Sequence, residues 1–201
     1  MRHSSLLLFL LLCCGCFFSK KAKRPSKQLK AIEDIRLDKE ELKHWLDEPL
    51  PPFIASSING DSIYSDSLRG KKIMLNLFFS KCSPCILEIK HLNKLKEHYH
   101  KQNIEFLAMT YEDASTAMQF AQKYEYTFTI IPDFLEYYEP LIRYYPQNIF
   151  IDSKGIIRAV KGSVPLDLNA LMPTVDAPFD IEDMIEHMDP TNFYKIIDAM
   201  E

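Results

Sequence analysis

Two cysteines two residues apart, Cys82 and Cys85 in "FFSKCSPCILEI", are the side chains of this chain best suited to chemistry. Such a pair serves one of three purposes: dithiol redox, half of a metal site, or a structural cross-link. Redox exchange needs one sulfur held as a thiolate, the attacking species, and a second within reach to release the mixed disulfide. A tetrahedral metal site needs two further ligands. His91 and His98 are the nearest histidines downstream, seven residues apart, and the apolar pattern of their segment turns both toward solvent. A cross-link closing so small a loop removes little chain entropy.

The elements around the pair favour redox chemistry. "IMLNLFF" (73–79) is a nearly continuous apolar run, as expected of a strand buried on both faces. From Ser83 to about Lys101 the apolar residues Ile86, Ile89, Leu92, Leu95 and Tyr99 recur every three or four positions, which predicts a helix. Cys82 then lies at a helix N-terminus, where the dipole and free amides favour a thiolate, and Cys85 enters the first turn. A CxxC at a βα junction is a thioredoxin-like redox signature.

Further along, "FIASSINGDSIYS" reads as two short strands turning at Asn59-Gly60, and "DSLRGKK" as a short helical turn ending at Gly70. "IEFLAMT" (104–110) is a second buried strand, "ASTAMQFAQKY" a helix, "TFTIIPD" a short strand, and "FLEYYEPLIRYY" a helix or helical loop. "NIFID" and "GIIRAVKG" are strands joined through Ser153-Lys154-Gly155. The order is β-β-β-α-β-α-β-(α)-β-β, an α/β arrangement with a parallel, right-handed βαβ unit. "IEDMIEHM" and "TNFYKIIDAM" read as two amphipathic helices, with Asp180 and Thr191 as candidate N-caps. "IEDIRLDKEELKHWLDE" (32–48) has loosely helical spacing and stops at "EPLPP" (48–52).

The N-terminus differs in kind. "MRHSSLLLFLLLCCGCFFSKKAKR" has a basic start, an apolar run from Leu6 to Leu12 too short to span a bilayer comfortably, and then small residues, which reads as a signal peptide over residues 1–15. An uncleaved membrane anchor is the alternative. "CCGC" resembles a bacterial lipobox, which implies cleavage after Gly15 and lipidation of Cys16; Cys13 stands where such motifs usually have leucine, so Cys13 and Cys14 remain candidate sites. With Cys16 as the first mature residue and capped by lipid, Cys82 and Cys85 are the only free thiols. Lys20, Lys21, Lys23, Arg24, Lys27 and Lys30 follow without an acid, giving a basic tether (16–47) that suits an anionic membrane surface or a solvated linker. Residues 31–201 hold 17 Lys/Arg against 28 Asp/Glu, a net of −11 that argues against nucleic-acid binding.

From Pro52 to about Gly162 the chain resembles the TlpA/ResA-type thiol-disulfide oxidoreductases, membrane-tethered relatives of thioredoxin. The residues that carry the resemblance are Pro52-Phe53, Asn59-Gly60, Leu68-Arg69-Gly70-Lys71, Asn76-Leu77-Phe78, Cys82-Ser83-Pro84-Cys85 with Glu88, and "PQNIFIDSKGII". The resemblance implies a thioredoxin-like domain over residues 48–165, with a central mixed sheet flanked by helices, an N-terminal β-hairpin, and a C-terminal extension (166–201) of unassigned role. It implies that Cys82 is the nucleophile, Cys85 the resolving thiol, and Glu88 a carboxylate tuning proton transfer. Spacing alone also allows Glu88 to be an exposed first-turn acid complementing the helix dipole. The resemblance further implies that Pro146 is a cis-proline beside the dithiol, with the Tyr145 backbone pairing with an extended substrate.

Two positions depart from the family pattern. Lys81 stands where tryptophan is common; a cation there favours the thiolate and alters the docking surface. Tyr145 stands where a small or β-branched residue is usual; its ring either narrows the groove or packs under the adjacent loop. The expected activity is reduction of disulfides in envelope proteins or apocytochrome c, on the periplasmic side of a bacterial membrane. It needs a membrane electron donor and no dissociable cofactor. A non-enzymatic thioredoxin-fold lipoprotein for binding or metal delivery is the alternative. A peroxiredoxin-type peroxidase is disfavoured, because Leu75 and Phe79 occupy the positions of its Pro and Thr/Ser.

Overall fold

The structure is a computed structural model that describes residues 45–142, 144–166 and 181–201. The leader, Cys16, the basic tether, residues 32–44 of the expected first helix, and Asp180 lie outside the described residues. Trp45 has 3₁₀-helical conformation, and residues 46–48 leave it in a turn with Asp47 at φ 67°, where the Asp47 amide donates to the Ile157 carbonyl at 2.9 Å. Trp45 is already buried in the core.

A five-stranded mixed sheet runs in the order β5-β4-β3-β6-β7. Its strands are β3 (Lys72–Leu77), β4 (Ile104–Met109), β5 (Thr129–Ile131), β6 (Gln147–Ile151) and β7 (Ile157–Lys161). β3, β4 and β5 are parallel, while β6 runs antiparallel to β3 and to β7. A separate hairpin, β1 (Ile54–Ser56) with β2 (Ser62–Tyr64), docks on β5 through the Ile58 amide and the Ile130 carbonyl. Gly60 has φ 86°, the left-handed conformation that an Asn-Gly turn supplies. The fold is thus the mixed α/β sheet with an N-terminal hairpin that the sequence pattern implies.

The period of two along a strand splits the core into two layers. Leu75, Leu77, Leu107, Met109, Ile149 and Ile151 face one side, against Trp45, the hairpin, and the short helix α3 (Leu135–Tyr138). Met74, Phe106, Ala108, Ile130 and Phe150 face the other, against α1 (Ser83–His98), α2 (Ala114–Tyr124) and α5 (Thr191–Ala199). Asn76 and Asn148 also lie on that helix-covered side, as a directly opposed pair across β3 and β6.

α1 stops at His98, three residues before the expected end, where the Tyr99 backbone leaves helical geometry. The C-terminal segment is part of the core. Phe193, Ile197 and Met200 pack with Met74 and Phe78, and Phe193 meets Phe150 edge to face at 5.2 Å. Thr191 is the first helical residue of α5, not its cap. The N-cap position is Pro190, and the Thr191 amide donates to the Asp189 carboxylate at 2.9 Å, so the acid two residues upstream satisfies the first free N–H. His91 is buried, contrary to its solvent-facing assignment, because α4 (Ile181–Glu186) crosses α1 there and the imidazole Nε2 hydrogen-bonds the Ile185 carbonyl at 2.7 Å. His98 is exposed and packs edge-on against Tyr99 and Tyr194. Among the described residues no helix is long and apolar enough to cross a membrane.

Candidate active site

β3 ends at Leu77, and the chain passes through Phe78–Lys81 into α1. Cys82 is the N-cap of that helix: its Sγ accepts from the Cys85 amide at 3.2 Å. Pro84, in the first turn, fits a position whose N–H has no intrahelical partner. The two cysteines form a disulfide with a Cα–Cα separation of 5.2 Å. Both are nearly covered, Cys82 at 4% and Cys85 at 2% exposure, so in the oxidised state neither is open to solvent. Lys81 is exposed beside them. The loop before Cys82 is held by Glu112, whose two carboxylate oxygens accept from the Ser80 amide at 2.7 Å and the Ser80 hydroxyl at 2.6 Å.

Glu88, one turn beyond Cys85, is fully enclosed. Every hydrogen bond onto it is donated. Asn76 Nδ2 reaches Oε1 at 2.9 Å, Asn148 Nδ2 reaches both oxygens at 3.3 Å, and the Val164 amide reaches Oε2 at 2.9 Å. The set ties α1 to the central strand, to β6, and to the segment after β7. Burial raises the Glu88 carboxyl to about 7, against the opposing pull of Val164, Asn148, Asn76 and Ser163. A carboxyl poised there exchanges protons near neutral pH. Behind it, Asn76 is saturated: its second N–H donates to Asn148 Oδ1 at 2.8 Å, and its Oδ1 accepts from the Tyr126 hydroxyl at 2.9 Å. Burial, then the charge of Glu88, holds the Tyr126 phenol protonated.

The Tyr145–Pro146 peptide is cis, at the entry to β6. The Tyr145 ring meets Phe79, three residues before Cys82, edge to face at 5.0 Å, and Tyr111 at 6.4 Å; its hydroxyl donates to the Tyr138 hydroxyl at 3.3 Å. Tyr145 therefore belongs to an aromatic cluster with Phe79, Tyr111 and Tyr138, on the segment that leads into Cys82. Leu75 is wholly buried in β3, and Phe79 offers only its ring, so neither supplies a hydroxyl. Among the described residues no group of three or more His, Cys, Asp or Glu side chains could hold a metal ion.

The pattern of the sequence singles out Cys82, Cys85, Glu88, Lys81, Tyr145 and Pro146; the fold sets Lys81, Cys82, Cys85 and Glu88 at the start of α1, the Tyr145 ring against Phe79 just before it, and Pro146 at the entry to β6. Tyr126, Ser163, Val164 and Glu112 join them without a role read from the sequence, and Asn76 and Asn148 carry none there beyond their places in motifs. Asn76 carried one signal, as the lone polar residue in an apolar run. Tyr126 carried none, because a tyrosine in an aromatic segment reads as core.

The fold and its dithiol define a thioredoxin-like protein with a disulfide at a helix N-terminus. The chain belongs to the AhpC/TSA family, which matches residues 46–160. It is 31% identical over 110 residues to the thiol-disulfide oxidoreductase ResA of Halalkalibacterium halodurans, covering 52% of this chain and 61% of that protein. It is 29% identical over 117 residues to ResA of Geobacillus kaustophilus, covering 55% of this chain and 65% of that protein. The matches thus span less than two thirds of these relatives. Among solved structures it is similar to a thiol:disulfide interchange protein of the thioredoxin family from Chlorobium tepidum. That TM-score is 0.56 at 18% identity, over 77% of this chain and 96% of the other, which establishes the shared fold.

Proposed function

We propose that this chain is a membrane-tethered, extracytoplasmic thiol-disulfide oxidoreductase that reduces protein disulfides. The carrying observation is a cysteine pair capping α1 with a buried carboxyl one turn behind it. In the reduced protein the Cys82 thiolate attacks a substrate disulfide, forms a mixed disulfide, and expels the first substrate thiolate. Cys85, deprotonated with Glu88 as the proton acceptor, attacks Cys82 Sγ and expels the second. The two substrate thiolates take up protons; the protein has lost two electrons and holds the Cys82–Cys85 disulfide. A dithiol on a membrane electron donor restores it by the reverse exchange. The Tyr145 backbone beside cis-Pro146 aligns an extended substrate segment. The N-terminal leader, Cys16 and the basic tether support placement at the outer face of a cytoplasmic membrane or in the envelope beyond it.

The test is insulin reduction by the full chain in detergent, with dithiothreitol as electron donor. Acceleration over dithiothreitol alone, lost in Cys82→Ser, supports the reading. A wild-type rate equal to the uncatalysed one overturns it in favour of a binding role.

A further inference from the structure

Tyr126 lies 38 residues beyond Glu88 in sequence and makes no direct hydrogen bond to it, yet its hydroxyl meets the amide that does. The Tyr126 hydroxyl donates to Asn76 Oδ1 at 2.9 Å, and Asn76 Nδ2 donates to Glu88 Oε1 at 2.9 Å. A side-chain amide has two orientations of nearly equal shape, and only its partners distinguish them. Here the choice decides whether Glu88 faces a donor or an acceptor. With Oδ1 taken by Tyr126, both N–H groups point toward Glu88 and Asn148, and the charged carboxylate is satisfied. With the hydroxyl gone, Oδ1 is an unpaired buried acceptor, and the amide loses both the partner that fixes its orientation and the polarisation that strengthens its donation to Glu88. The ring is held independently of the hydroxyl: it stacks on Phe128 at 5.0 Å and lies edge-on to Phe78 at 5.7 Å.

We infer that Tyr126 is a positioning residue, which fixes the Asn76 amide and thereby sets the protonation of Glu88 and the acidity of the cysteine pair. The inference rests on the reading of Glu88 as the carboxyl that shares protons with the dithiol. The groups facing Glu88 from the packed elements are Asn76 on β3, Asn148 on β6, and Ser163 and Val164 after β7, all uncharged. The titratable ones are Tyr126 and, one turn earlier on α1, Cys85 once reduced. The hydroxyl polarises the amide toward better donation, so it stabilises the carboxylate. Its loss therefore raises the Glu88 titration midpoint. A neutral Glu88 no longer opposes thiolate formation, so the thiol midpoint falls.

The experiment titrates the carboxyl of the oxidised full chain by carbon-13 NMR of labelled glutamate, with Glu88 assigned by its absence in Glu88→Gln. Tyr126→Phe raises the midpoint by about half a pH unit to one unit, the size of an indirect hydrogen bond's effect. Replacement of Tyr126 by 3-fluorotyrosine, a stronger donor with the same ring, lowers it. In the reduced protein, the pH profile of iodoacetamide alkylation moves down in Tyr126→Phe but is unchanged when the same substitution is made in Glu88→Gln. Unmoved carboxyl midpoints in both Tyr126 variants overturn the inference, as does an alkylation shift that persists without Glu88. The carboxyl titration needs no reductase activity, so failure of the proposed function and failure of this inference are separable.

Discussion

Asn76 and Asn148 face each other across β3 and β6 and share a 2.8 Å hydrogen bond, and both donate to the enclosed carboxylate of Glu88. Two adjacent strands thus hold the acid that follows the cysteines. Because both asparagines occupy opposed positions of an antiparallel pair, a one-residue slip of β6 would send Asn148 to the other face and dismantle the site.

The raised Glu88 carboxyl makes stability depend on pH. Its folded-state value is about 7 against an ordinary 4.5, so the folded protein binds this proton more tightly than the unfolded chain. The contribution is complete below pH 4.5 and is lost as pH rises through 7, amounting to about 3 kcal/mol. Urea unfolding of the oxidised protein should show the midpoint falling across that window. In Glu88→Gln the curve should be flat there and lower at acid pH, since an amide among four donors leaves one N–H facing another. Parallel slopes in the two proteins would assign the titration elsewhere.

Cys82 caps α1 and Cys85 sits within its first turn, so the helix dipole favours the thiolate at Cys82. Cys85→Ser should accumulate mixed disulfides with substrate on non-reducing gels, and Cys82→Ser should not. Trapping confined to Cys82→Ser would reverse the roles of nucleophile and resolver.

Phe193 is 1% exposed and rests edge-on against Phe150 of the central sheet. Phe193→Ala should cost about 3–5 kcal/mol in chemical unfolding, as for a large aromatic removed from a close-packed core. Asn192→Ala, at an exposed neighbouring position, should change stability by less than about 0.5 kcal/mol. Equal, small effects would mean that α5 is a dispensable appendage.

Cys16, outside the described residues, is the proposed lipid site. Labelling of cells with a radioactive fatty acid should mark the wild type and not Cys16→Ser. Label retained in that variant would move the site to Cys13 or Cys14.

Much of this architecture was legible in local pattern. The apolar run 73–79, the three- and four-residue spacing from Ile86 to Tyr99, and the Asn59-Gly60 turn each encode their element through contacts a few residues apart, so sequence alone placed Cys82 and Cys85 at a βα junction. The same pattern misread His91, because burial by α4 depends on a segment 94 residues away making its hydrogen bond to that ring. It left Glu88 open between an exposed helix acid and a buried site residue, since spacing along one helix says nothing of what lies beneath it. It gave Tyr126 no role and Asn148 only a place in a strand motif. Their roles come from sheet register and from a loop returning beneath α1, which bring residues 50 and 72 positions from Asn76 within 3 Å of it. The chemistry of the cysteines is a local property of the chain; the proton affinity of the acid behind them is a property of the packed interior.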